Sequence, residues 1–127
     1  MEFDLAGNPD YGRLEVALSP GETILAEAGA MSWMSRGLQA QSRLIGGLLQ
    51  AAVRRVVGGE SLFVGEYSAH GASGSVAFAP AEPGSVLHRR LDGDSFILTA
   101  GSFLACTPGI QLQTRFGGLK AFFSGEG

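Results

Sequence analysis

The chain has 127 residues, of which 45% are hydrophobic and 17% charged, and its net charge is −3. That is one domain's worth of sequence with enough apolar material for a core, which argues against a disordered chain. Twenty glycines and five prolines mark many tight turns, and the absence of a Gly-X-Y period excludes collagen. The nine basic residues are scattered, pairing only at Arg54-Arg55 and Arg89-Arg90, so an extended phosphate-binding face on one subunit is not expected, although a ring of subunits could concentrate a pair into a local patch; nucleic acid is not an expected partner.

The opening Met1-Glu2-Phe3-Asp4 is acidic and lacks the basic and apolar regions of a signal peptide. No stretch approaches the run of about 18 apolar residues that spans a bilayer. A cytoplasmic location is the expectation. Leu14, Val16 and Leu18 then alternate with Glu15 and Ala17, which predicts a strand with one buried face. Ser19-Pro20-Gly21-Glu22 reads as a turn, and Thr23 to Glu27 as a second strand, so the pair predicts a hairpin. Met31-Ser32-Trp33-Met34 continues the β pattern after Gly29.

Residues 42–58 read as an insertion, a loop followed by a short helix. Ser42 suits a helix cap, and Leu44, Ile45, Leu48, Leu49, Ala52, Val53, Val56 and Val57 follow helical spacing. Gly46-Gly47 weakens the first turns, so the helix is placed at about residues 48–57, with Arg54 and Arg55 near its end and Gly58-Gly59 stopping it. The segment reads first as a helix capping one end of the sandwich; the alternative makes its apolar and basic residues (Leu44, Ile45, Leu48, Leu49, Val53, Arg54, Arg55 and Val56) the candidate interface, toward a second subunit, another protein or a membrane surface.

Strands are predicted again at residues 61–67, 75–79 and 86–91, with turns at 70–74 and 80–84. Asp92-Gly93 suggests a type I′ hairpin. Residues 96–106 read as a long apolar strand, or two broken near Gly101. Thr107-Pro108-Gly109 turns the chain into a strand at 110–116, and another follows at 119–123.

The sequence echoes itself. Residues 21–31 and 93–103 share glycine, an acid, a hydroxyl residue, an apolar run and a second glycine, at an offset of 72. A shorter echo sets Gly59-Glu60-Ser61 against Gly125-Glu126-Gly127, at an offset of 66. Both point to a duplicated β unit packed as two sheets. The turn positions Gly21, Glu22, Gly29, Gly59, Glu60, Gly93, Asp94 and Gly101 are read as structural, because an acid repeated after a turn glycine serves turn backbone better than catalysis. Gly125-Glu126-Gly127 resembles the start of a further strand, so a longer natural protein is expected, with an unpaired sheet edge at residues 119–123.

Three segments together resemble the mitochondrial-biogenesis (altered inheritance of mitochondria) family. They are Leu18-Ser19-Pro20-Gly21-Glu22, then residues 26–34 from Ala26-Glu27-Ala28-Gly29 to Trp33-Met34, and Gly59-Glu60-Ser61-Leu62-Phe63. The resemblance runs from Phe3 onward. It implies a fold similar to the trp RNA-binding attenuation protein, related to the double-stranded β-helix, and an oligomer by analogy. The family's bacterial and archaeal members are uncharacterised, and the resemblance implies no catalytic residue and no cofactor.

The residues themselves yield no catalytic constellation. His70 and His88 are isolated and no His-x-His occurs, so no metal site is expected. Cys106, the single cysteine, lies in an apolar run and is expected to be a buried hydrophobe. Gly71-Ala72-Ser73-Gly74 has the wrong spacing for a nucleophile elbow. Glu27, if it faces inward, calls for a partner such as Arg54 or Arg55. The leading expectation is an all-β antiparallel sandwich, double-stranded β-helix-like, spanning residues 1–127 and acting as a non-enzymatic, homo-oligomeric scaffold or interaction module. A small-ligand or enzymatic site between the sheets is one alternative, and RNA binding, by fold analogy only, is another.

Overall fold

The computed structural model describes residues 1–45, 62–99, 101–115 and 118–123. Eleven strands are present there: β1 (Glu2–Ala6), β2 (Arg13–Leu18), β3 (Thr23–Glu27), β4 (Met31–Met34), β5 (Leu38–Ile45), β6 (Leu62–Ala69), β7 (Gly74–Phe78), β8 (Ser95–Leu98), β9 (Ala105–Cys106), β10 (Ile110–Arg115) and β11 (Gly118–Phe123). They form three antiparallel sheets, ordered β1-β2-β7-β4, β5-β6-β3-β9 and β10-β11-β8. The protein is an all-β antiparallel sandwich. The helix expected at residues 48–57 lies outside the described residues, as do Gly59, Glu60, Gly125 and Glu126.

Alternation sets the layers. Val16 and Leu18 on β2 and Val76 and Phe78 on β7 point inward, against Ile24 and Ala26 of β3 and Tyr67 and Ala69 of β6. The Tyr67 and Phe78 rings meet edge-on, with centroids 5.2 Å apart, and the Tyr67 hydroxyl is pushed above its ordinary pKa by burial. Leu25, on the opposite face of β3, joins Val64, Phe103 and Leu112 in a second cluster against the third sheet. The middle sheet is thus covered on both faces, and β3 accordingly reads as a continuous apolar run, Ile24-Leu25-Ala26.

Four local expectations are corrected. β2 and β3 do not form a hairpin; they lie in different sheets. Gly21 N–H bonds Ala69 C=O and Ala69 N–H bonds Glu22 C=O, so the turn hands β3 to β6. Asp92-Gly93 is not a type I′ turn, because Gly93 has φ of 78° but Asp92 does not have positive φ. Ser42 caps no helix; it sits within β5 opposite Gly65, and β5 continues to Ile45. Residues 86–91, expected as a strand, join no ladder among the described residues. In addition, β11 lies between β10 and β8, so residues 119–123 are not a sheet edge.

One register occurs twice. A shift of 72 on β3 and β5, with a shift of 54 on β6, turns the rungs of the middle sheet into those of the third: Thr23↔Ser68 becomes Ser95↔Phe122, and Leu38↔Ala69 becomes Ile110↔Phe123. Turn bonds follow the same shift: Ala30 N–H to Glu27 C=O matches Ser102 N–H to Thr99 C=O, and Leu38 N–H to Ser35 C=O matches Ile110 N–H to Thr107 C=O. Gly21 and Gly93 share a left-handed backbone (φ 89° and 78°), as do Gly29 and Gly101 (84° and 87°), a conformation open to glycine without strain. The smaller shift on β6 arises because the β5–β6 connection is longer than the β10–β11 connection.

Candidate functional site

The outer face of the β1-β2-β7-β4 sheet carries the most distinctive group of side chains. Cross-strand pairing places Asp4 opposite Glu15, Glu15 opposite Ala77, and Ala77 opposite Trp33, which makes one row across four strands. The next row sets Glu2 opposite Ala17 and Ala17 opposite Ser75. Small residues on the two middle strands therefore floor a shallow groove of about 200 Å³, walled by Trp33 on one side and by Glu2, Asp4 and Glu15 on the other.

Two features make this face unlike plain solvated surface. Carboxylates directly opposite each other, as Asp4 and Glu15 are, oppose pairing by a few tenths of a kcal/mol up to about 1 kcal/mol. Arg13 Nε reaches Glu15 Oε1 at 3.2 Å and offsets part of that charge. Trp33 keeps 47% of its surface exposed, an expensive placement for the largest apolar side chain. Trp33 and the carboxylates together suit a cationic group, held by the indole face and the acids at once. A bulge between Met31 and Trp33 on β4 sets the indole at this position.

A second feature lies at the loop after β1. Asn8 Nδ2 donates to Val86 C=O at 2.9 Å, and Val86 N–H donates to Asn8 Oδ1 at 2.9 Å. Gly12 N–H bonds Gly84 C=O, and Gly84 N–H bonds Asp10 C=O. His88 stacks on Phe3 with centroids 4.6 Å apart, and the Arg89 guanidinium lies 4.0 Å over the Phe96 ring. These contacts hold residues 84–90 along the sandwich.

The sequence-predicted residues fall as follows. Leu44 and Ile45 end β5, with Leu44 opposite Phe63, whereas Leu48, Leu49, Val53, Arg54, Arg55 and Val56 lie outside the described residues. Glu22 accepts the Ser19 N–H at 2.7 Å and also pairs with the Met1 amine. The amine, then the Ser19 N–H, holds the Glu22 carboxyl below its ordinary pKa. Asp94 follows Gly93 on the exposed surface. Glu27 is half-buried at the end of β3. Cys106 is partly covered on β9, opposite Leu25, and burial pushes its thiol up to about 12, which leaves it protonated and unreactive near neutrality. Among the described residues no three His, Cys, Asp or Glu side chains converge as metal ligands, and no helix is long and apolar enough to cross a membrane. The interior between the first two sheets, where a ligand site was an alternative, is filled by the core side chains Val16, Leu18, Ile24, Tyr67 and Phe78.

The mitochondrial biogenesis AIM24 family profile matches residues 3–127. The chain belongs to that family. No curated protein matches it. Among solved structures, the family chain is similar to a Streptococcus pyogenes protein determined by X-ray crystallography in a structural genomics programme, with a TM-score of 0.69 and 22% identity. The match covers 95% of this chain and 62% of that one, so this chain spans less than two thirds of its relative's length. At that identity the likeness speaks for the fold alone.

Proposed function

We propose that this member of the family is a non-enzymatic, oligomeric β-sandwich that serves as a cytoplasmic interaction module, with the groove beside Trp33 as its contact surface. The observation that carries the reading is the row Asp4–Glu15–Ala77–Trp33, which combines a half-exposed indole with opposed carboxylates. Such a surface is tolerable alone but improves when a basic side chain enters it, because the acids gain a counter-charge and the indole loses water. Glu2, Asp4 and Glu15 repel phosphate, so this face takes protein rather than nucleic acid.

Light scattering on a sizing column tests it. The chain is expected to run as an oligomer, and Trp33→Ala is expected to lower its mass while leaving the thermal transition in place. A strictly monomeric chain overturns the reading, as does an oligomer indifferent to Trp33→Ala.

A further inference from the structure

Charge is divided between the two sides of the sheet that carries the Trp33 groove. The acids Glu2 and Asp4 come from β1 and Glu15 from β2. Trp33 comes from β4, at the other end of the order β1-β2-β7-β4. Just beyond Trp33, Ser35 N–H donates to Ser75 C=O, and Ser75 N–H donates to Ser35 Oγ at 2.8 Å. Ser35 therefore extends the row Glu2–Ala17–Ser75. Arg36 follows it on an exposed turn. Arg36 and Glu2 thus stand within one residue of the same level along the strands, on opposite sides of one face. The other described arginines have partners: Arg13 pairs with Glu15, Arg43 with Glu66 and Arg90 with Asp92, while Arg89 lies over Phe96.

We propose that the groove is occupied by a second copy of this chain, docked face to face about a two-fold axis parallel to the strands, with Arg36 of each copy paired to Glu2 of the other. This pairing rests on the groove being the contact surface. Charge selects the axis. A two-fold across the strands would stack β1 on β1 and set acids against acids. A two-fold along the strands, over the midline between β2 and β7, reverses the strand order and keeps the level. It lays β4 of one copy on β1 of the other. Trp33, with its indole N–H donor, then comes over the Asp4–Glu15 row, and Arg36 comes beside Glu2. Stacked sheets lie about 10 Å apart, a gap that an arginine and a glutamate close when they reach toward each other. Each contact occurs twice, as two-fold symmetry requires. The acids gain a counter-charge and the indole loses water in the same step. A face four strands wide is small beside the roughly 800 Å² per partner of a standard interface, so the pair should come apart on dilution.

The test mixes two charge reversals and reads the dimer constant by analytical ultracentrifugation. Arg36→Glu alone opposes acid to acid, and Glu2→Arg alone opposes base to base. Each should weaken dimerisation about tenfold. Both positions are exposed, so both variants should keep the wild-type thermal transition. In an equimolar mixture the two variants complement each other at both contacts, and a mixed dimer should return at wild-type affinity. Added salt should weaken the wild-type dimer. A mixture that associates no better than its separate components overturns the proposal. An oligomer that Trp33→Ala weakens but neither reversal touches overturns the Arg36–Glu2 pairing and leaves the groove as a contact surface. A wild-type chain that stays monomeric at every concentration overturns both.

Discussion

Asn8 and Val86, 78 residues apart, are joined by two hydrogen bonds of 2.9 Å, one in each direction between the Asn8 amide and the Val86 main chain. This pair fastens the second half of the chain to the loop after β1. Gly12 lies against it: a Cβ there would come within 2.6 Å of Val86 N and 3.0 Å of Gly84 O, both main-chain atoms that cannot swing aside.

Removing the Asn8 amide leaves a part-buried N–H and C=O unsatisfied. Asn8→Ala is expected to cost about 1–3 kcal/mol in urea unfolding, and Asn8→Asp, which keeps only the acceptor, is expected to retain the bond from Val86 N–H while losing the one to its C=O. If Asn8→Ala unfolds at the wild-type midpoint, the clasp contributes nothing to stability.

Phe78 is fully buried between the first two sheets, edge-on to Tyr67. Phe78→Ala should lower stability by about 3–5 kcal/mol through lost burial and a cavity. Leu87→Ala, at an exposed position, should stay within about 0.5 kcal/mol of wild type. Chemical denaturation of the two variants side by side checks both values.

Glu22 makes folding sensitive to acid. Its folded-state pKa is depressed, so its contribution is present above the unfolded-state pKa and disappears as the pH falls through the folded value. Glu22→Gln should therefore narrow the loss of stability between neutral and acidic pH. Unfolding midpoints of the two proteins across that range give the answer, and parallel pH profiles would contradict it.

Cys106 should react slowly. With its thiol pushed up to about 12, the native protein holds almost no thiolate at pH 8. A thiol reagent is expected to label native protein far more slowly than urea-unfolded protein. Equal rates would place Cys106 on an open surface.

The alternation of Leu14, Val16 and Leu18 and the apolar run of β3 were legible because burial on one face or on two leaves its own period in sequence. Sheet membership was not. Ser19-Pro20-Gly21 specifies a turn but not whether the chain folds back or crosses to another sheet, and the bonds to Ala69 decide that. The apolar spacing that led from Ser42 toward a helix also fits the end of strand β5, since Leu44 and Ile45 suit either. Residues 86–91 carry a strand-like pattern, yet no ladder partner follows from a pattern alone. The Trp33 groove was invisible for a related reason. Its residues come from four strands, and only the registers bring Asp4, Glu15, Ala77 and Trp33 into one row.

Trp33 is the single tryptophan of the chain, so its emission reports on the proposed contact surface without a label. The most direct test is its emission maximum along a dilution series, read with the molar mass from light scattering. The interaction-module account predicts a blue-shifted maximum in the concentrated oligomer that moves to the red as the mass falls. A constant maximum, with monomer mass at every concentration, would contradict it.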